Sequence, residues 1–399
     1  MLKKLSLAAL IAMGSMSVAS ATPLTEAIKG VDLSGMIRVR FYNYNKKDAN
    51  DYNRWRTSSD FKFTIPVSEE LKLVYKIGVE GNVYSDDDSI NGDKTNVDPN
   101  PGENLVFLKY SANGVNVMAG KIPVATSVTG KGHGEARGTG AIATFKASDS
   151  LTVAGVWINA LKSADAFDSK SGYVTYGLDG NGDVNLSDTK KHVKGVPGKV
   201  PNDIYAVAAL FNVDMVKGNV WYYHATNAIK NLYTVSVDIT PIKGIDVHAD
   251  YASGKLDEDN AKTKTYFNVS AKTNVDAFSV LAGYAKTDKD EGVVALDGDS
   301  PIANVLPVDQ KYAIANLTDT SAIYAKAGYS IDDKTNVYLA YAGINDKTVN
   351  DADSAEIVLG GSYKYTKKMK FSALYSMFND KSTANKDVNE LKLEAKYSF

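Results

Sequence analysis

The sequence predicts an all-β chain that closes into a transmembrane antiparallel β-barrel of about 18 strands, and three observations carry that reading. Apolar and polar side chains alternate with a period of two in nearly every segment long enough to form a strand. Beyond the first 21 residues, no stretch approaches the roughly 20 consecutive apolar residues that a spanning helix needs. Tight turns alternate with longer polar connections, the pattern of a barrel that keeps short turns on one side of a membrane and loops on the other. A chain that lives in hydrocarbon without spanning helices must close its sheet, because only then are all backbone groups paired.

The elements follow in order. Lys3 and Lys4 precede the apolar run Leu5 to Val18, and Ala19-Ser20-Ala21 supplies small residues for cleavage, so residues 1–21 read as a removable export signal. Residues 22–31 form a short N-terminal periplasmic segment, with Thr22 as N-cap, Pro23 at the first helical position and Gly30 as a stop. Residues 32–399 read as one β-barrel domain. In DLSGMIRVRFY, Leu33, Ile37, Val39 and Phe41 share one face, and Ser34, Arg38, Arg40 and Tyr42 the other. The next strand sets Trp55, Phe61, Phe63 and Ile65 against Arg54, Arg56, Asp60, Lys62 and Thr64. The third sets Leu71, Leu73, Tyr75, Ile77 and Val79 against Lys72, Lys76 and Glu80. A lysine or arginine facing lipid near the midplane costs about 2–4 kcal/mol, so the charged face must look into a wet lumen.

Weaker alternation continues through Tyr233 to Ile239, Ile245 to Tyr251, Val337 to Tyr341 and Met369 to Met377. Turn chemistry marks 67–70, 111–114, 147–150, 213–216, 240–244, 273–276, 332–335 and 366–368 as short connections. The longer segments 85–102, 123–138, 160–202, 287–319 and 379–387 read as external loops. The closing VNELKLEAKYSF alternates Leu391, Leu393, Ala395, Tyr397 and Phe399 with Glu390, Lys392, Glu394, Lys396 and Ser398. Its terminal Phe399 resembles the C-terminal assembly signal of bacterial outer-membrane barrels. To abolish the sheet edge this strand must pair with the first, which puts Lys392, Glu394 and Lys396 beside Arg38 and Arg40. A secreted sandwich or β-solenoid would show polar outer faces, and no linker here divides the chain into such domains.

Composition narrows the class. There is no cysteine, so neither disulfides nor thiolate metal sites exist. Lys and Arg total 45 against 47 acids, and loss of Lys3 and Lys4 makes the balance slightly more acidic, unlike a nucleic-acid binder. Aromatic content is dominated by 24 tyrosines, which suit the interfacial girdles of a barrel.

Chemistry concentrates in few places. Four of the five arginines fall on the first two strands, and Arg38, Arg40 and Arg56, extended by Lys62 and Lys76, form a basic stripe on the lumen face with Glu80 nearby. Guanidinium stays charged, so such a stripe sets a fixed positive field on a pore wall. The fifth, Arg137, ends a glycine-rich third loop in which Lys131, His133, Glu135 and Arg137 alternate with small residues. Folded inward, that loop would line a constriction opposite the basic stripe. Filler ion pairing in the lumen and an ordinary surface hairpin are the alternatives. Asp179, Asn181 and Asp183 place oxygen ligands at the first positions of a calcium loop, but Val184 and Lys190 depart from its later positions. Calcium is thus a candidate ligand and no cofactor is required. The four histidines lack metal-ligand spacing; His248 lies near Asp246 and Asp250 with no nucleophile beside it, so no enzyme is expected.

With these residues in view, the chain resembles the major outer-membrane porin family of Campylobacter and its relatives. The resemblance rests on the ATPLTEAIKGVDLSG segment, on Arg38-x-Arg40, on Ala119-Gly120-Lys121 before the third loop, on Gly138-Thr139-Gly140 after it, and on KFSALYSMFND near the end. It implies an eighteen-stranded homotrimeric porin in outer-membrane lipid and lipopolysaccharide, with loop 3 folded into the pore, passing ions and small hydrophilic solutes. It also implies loop-3 aspartates, cation preference and calcium near the eyelet. Here TGKGHGEARG keeps Glu135 as its one acid and carries Lys131 and Arg137, so weaker cation preference or mild anion preference is expected. The competing expectation is a surface adhesin or structural barrel with a plugged lumen, its loops 160–202 and 287–319 facing a host or neighbour.

Overall fold

The computed structural model describes residues 29–47, 51–85, 100–130, 136–162, 167–168, 173–175, 192–194, 203–257, 259–310, 313–347, 352–381 and 387–399. The expected export signal, 1–21, and most of 22–31 lie outside the described residues. The first seven strands are β1 (Asp32–Lys46), β2 (Tyr52–Pro66), β3 (Leu71–Ser85), β4 (Asn100–Ala112), β5 (Val115–Pro123), β6 (Arg137–Lys146) and β7 (Leu151–Lys162). Three short ones, β8 (Phe167–Asp168), β9 (Tyr173–Thr175) and β10 (His192–Lys194), lie in the connection that follows. The chain continues with β11 (Ile204–Val213), β12 (Val216–Ala225), β13 (Ile229–Ile242), β14 (Ile245–Leu256), β15 (Thr263–Val275) and β16 (Phe278–Thr287). It ends with β17 (Thr320–Ser330), β18 (Thr335–Asp346), β19 (Ala352–Lys364), β20 (Met369–Asp380) and β21 (Val388–Ser398).

Every long strand pairs antiparallel with its neighbours in sequence, β7 passing directly to β11 across the short strands. The first and last strands then pair from Met36↔Ser398 to Lys46↔Val388 and close an eighteen-stranded barrel. Beyond the last ladder residue, Phe399 exchanges two backbone hydrogen bonds with Gly35, at 3.0 and 3.1 Å. Its ring lies over the space that a side chain at Gly35 would fill and 5.8 Å from Phe61. The terminal aromatic therefore seals the seam on the lipid face.

Short turns fall where turn residues predict them. At the β4–β5 hairpin, Asn113 and Gly114 both have positive φ, 50° and 77°, the backbone that matches strand twist in a two-residue turn. In the β17–β18 turn the Asp332 carboxylate accepts the N–H groups of Lys334 and Thr335 at 2.8 and 2.6 Å, which holds its pKa below the ordinary carboxylate range.

Alternation sorts side chains between media. Leu33, Ile37, Val39, Trp55, Leu339, Leu359 and Leu393 stand exposed on the outer face, whereas Arg38, Arg40 and Tyr42 are buried on the inner one. The inner face is not uniformly polar. From β4 to β17 it carries Leu105, Phe107, Ile122, Val156, Ile158, Trp221, Tyr223, Leu232 and Tyr266, all buried in one apolar cluster. That cluster is completed by the connection between β16 and β17, residues 288–319, which the sequence places outside the barrel. Val293, Val294, Ala295, Leu296, Ile302, Ala303, Leu306 and Ile314 are all at most 2 % exposed. Apolar side chains in a water-filled lumen have no other way to leave water than to meet an apolar wall. Gly254 on β14 makes the approach possible: a Cβ there would collide with the Val293 carbonyl oxygen.

Candidate functional site

The inner wall formed by β1, β2, β3 and β21 carries the charged groups. Register sets Arg38 opposite Ser58 and Lys396, Arg40 opposite Arg56 and Glu394, and Lys62 opposite Lys76. Arg38 Nε donates to Ser58 Oγ at 3.2 Å, and Arg40 Nε to Glu394 Oε2 at 2.9 Å. The same carboxylate oxygen lies 3.8 Å from Arg38 Nη1. One acid thus serves two guanidiniums, and Arg38 Nη2 is buried with no hydrogen-bond partner among the described residues. Lys76 Nζ lies 3.5 Å from Asp60 Oδ2. Lys62 is exposed to the lumen. Glu80 stands opposite Ser58 in the β2–β3 ladder, and its side chain lies outside the described residues.

Toward the external end the stripe becomes aromatic. Arg40 Nη1 donates to Tyr42 Oη at 2.7 Å; Tyr42 stacks on Tyr44, and Tyr44 on Tyr52 with ring centroids 4.5 Å apart. Arg54 and Lys392 sit over the Tyr42 ring at 5.8 and 5.6 Å, so the cations are held by ring faces as well as by acids.

Arg137 is the first residue of β6, and its Nη1 donates to Asn104 Oδ1. Asn104 occupies the place of a side chain at Gly78, beside Asp60. Arg137 therefore joins the basic wall through Asn104 and Asp60 rather than facing it from across the lumen. Lys131, His133 and Glu135 lie outside the described residues, as do the calcium candidates Asp179, Asn181 and Asp183. What precedes them in the third loop, 124–130, packs inward. Ser127 Oγ lies 2.8 Å from Tyr223 Oη and 2.6 Å from Thr234 Oγ1 on the inner faces of β12 and β13. Glycine brackets this loop because backbones crowd there: Gly120 has φ 128° and leaves no room for a Cβ, which would lie 2.5 Å from the Val106 carbonyl oxygen.

The 288–319 connection meets this loop. Leu296 N donates to the Val128 carbonyl at 2.9 Å, Ile302 N to the Ser127 carbonyl at 3.2 Å, and Gly130 N to Asp297 Oδ2 at 3.1 Å. Expecting 287–319 outside the barrel was therefore wrong for most of its length; Asp288 and Asp290 at its root bond outward to Thr265 and Lys262. Its tip crosses to the charged wall, where Asp309 Oδ1 lies 2.7 Å from Lys392 Nζ. Sequence reasoning missed Asp309, Glu356 and the inward loop. Clustered apolar residues at 293–296 and 302–306, unusual for an external loop, were the available signal. His248 lies on the inner wall between Asp238 and Asp250, each 2.8 Å from one ring nitrogen; Asp238 takes the place expected of Asp246, which bonds Thr240.

The inner face thus divides into an apolar part, packed against residues 293–314, and a charged part along β1–β3 and β21. A family model described as Campylobacter major outer membrane protein matches residues 1–399. No curated protein matches the chain significantly. Among solved structures the barrel is similar to a BenF-like porin from Pseudomonas fluorescens Pf-5, at 13 % identity and TM-score 0.72 over 93 % of this chain and 99 % of that one. It is also similar to Pseudomonas aeruginosa OccK9 (OpdG), at 14 % and 0.71 over 94 % and 99 %, and to Pseudomonas aeruginosa OpdQ, at 11 % and 0.70 over 92 % and 98 %. At these identities the structural likeness shows the fold alone.

Proposed function

The chain belongs to the Campylobacter major outer membrane protein family, and on that premise we propose how its barrel works as a porin. It is an integral outer-membrane protein, a channel rather than an enzyme. Ions and small hydrophilic solutes diffuse passively along the charged part of the lumen wall, and its basic groups make the narrowest part of that path favour anions over cations. The observation that carries this reading is the 2.9 and 3.8 Å sharing of one Glu394 oxygen by Arg40 and Arg38, with Arg56 opposite Arg40 in the ladder. Positive charge exceeds negative there, and a narrow low-dielectric wall focuses its field. Acids of the external loops, such as Asp257 and Asp259, attract cations only to the mouth, where salt screens them within about 8 Å.

Arg137→Glu tests the reach of that field. The substitution removes the hydrogen bond to Asn104 and sets a carboxylate near Asp60, so the reversal potential in a salt gradient should move toward cations, by about twofold in permeability ratio. An unchanged potential would mean that Arg137 does not act on the passage. Family membership also supports a homotrimer in lipid and lipopolysaccharide. A heat-modifiable oligomer on an unboiled gel reads that directly, and a monomeric band alone would refute it.

A further inference from the structure

We propose that Glu356 is a positioning residue for the pore: it straps the tip of the 288–319 loop to the barrel wall, and so sets both the aperture and the net charge of the passage. Glu356 lies on β19, wholly buried, and makes no contact with the passage. Its Oε1 accepts the backbone N–H groups of Asp309 and Gln310, each at 3.0 Å, and Oε2 accepts Gln310 N at 3.1 Å. Ser376 Oγ, on β20, donates to Oε1 at 2.6 Å and fixes the carboxylate from behind. A buried carboxylate is costly unless donors surround it, and these donors come from the loop tip. Loop position and carboxylate burial are therefore coupled.

The strap has two consequences. It holds the loop tip at Asp309 and Gln310 against β19, two strands along the sheet from the loop's root at β17, which narrows the passage. It also places the Asp309 side chain on Lys392, at 2.7 Å, so that one wall cation is neutralised by the loop. Lys392 lies over Tyr42, which itself accepts a hydrogen bond from Arg40. Glu356 thus reaches Lys392 of the basic wall through Asp309. This inference rests on the chain being a channel, not on the sign of its selectivity.

Two variants separate position from charge. Glu356→Gln keeps the side-chain shape but removes the charge and puts an NH2, which cannot accept, where Oε2 meets the Gln310 N–H at 3.1 Å. Single-channel conductance should rise by about half to twofold, and liposome swelling should admit larger neutral sugars. Asp309→Asn leaves the backbone N–H groups of Asp309 and Gln310 on Glu356, so its neutral-sugar cut-off should stay at the wild-type value while its reversal potential moves toward anions. Ser376→Ala, which loosens Glu356 from behind, should repeat the Glu356→Gln direction at smaller amplitude and serves if Glu356→Gln does not fold. Folded, heat-modifiable Glu356→Gln protein with wild-type conductance and sugar cut-off would overturn the proposal, as would folded Ser376→Ala protein unchanged in both. Neutral-sugar cut-off is blind to charge, so failure of the anion-preference reading would leave this result intact.

Discussion

Replacing Arg38, Arg40 and Arg56 by glutamine, together with Glu394→Gln, is expected to move the reversal potential toward cations by roughly fivefold in the anion-to-cation permeability ratio. Glu394 must be changed too, because Arg40 holds it at 2.9 Å and a part-buried carboxylate left alone would carry a desolvation penalty. The net loss is then two positive charges. A unit charge about 7 Å from a passing ion is worth about 0.6 kcal/mol in water, and screening at about 0.15 M salt roughly halves it. Two such charges change each ion's local concentration by about two- to threefold, in opposite directions for the two signs. Conductance should change little, since glutamine preserves side-chain length. Salt dependence provides the internal control: the shift should shrink toward 1 M salt, where the screening length falls to about 3 Å.

Excising residues 292–316 and joining β16 to β17 by a short glycine-serine linker is expected to raise single-channel conductance about twofold or more, since an eighteen-stranded barrel otherwise encloses an open aqueous lumen. The cost should appear in stability. Trp221, Tyr223, Leu232 and Tyr266 now lie dry under Val293 to Ile314, and removal of the loop would wet them. The same deletion removes the partners of Val128 and Gly130 in the third loop. Heat-modifiability should persist at a lower transition temperature. Conductance unchanged by the deletion would show that this loop does not limit the passage.

The legible parts of the fold are those where one face meets lipid. On β1 to β3 and on β21 the apolar set and the charged set separate cleanly by parity, so the sheet faces, the closing pair and the position of Lys396 and Glu394 beside Arg38 and Arg40 all follow from sequence. The short turns follow too, within a residue or two, because their Asn, Asp and Gly positions are local chemistry. Where the lumen is dry, parity stops discriminating. On β7, Val153 and Trp157 face out while Ala154, Val156 and Ile158 face in, and both sets are apolar. Such a strand says that something apolar fills the lumen but not which segment does so. That segment, 288–319, lies far along the chain from β7, and its inward path depends on Gly254, whose missing side chain has no local signature. Arg137 shows the same limit at one residue: its charge was legible, but its place as the first residue of β6 rather than within loop 3, and its hydrogen bond to Asn104, depend on strand pairing and on the cross-strand space at Gly78.

The account stands or falls on current through the wild-type protein. Folded, heat-modifiable protein in a planar bilayer should give stepwise ohmic conductance, and under a salt gradient its reversal potential should carry the sign of anion preference. Absence of ohmic steps would contradict an open passage, and strong cation preference would contradict a pathway governed by Arg38, Arg40 and Arg56.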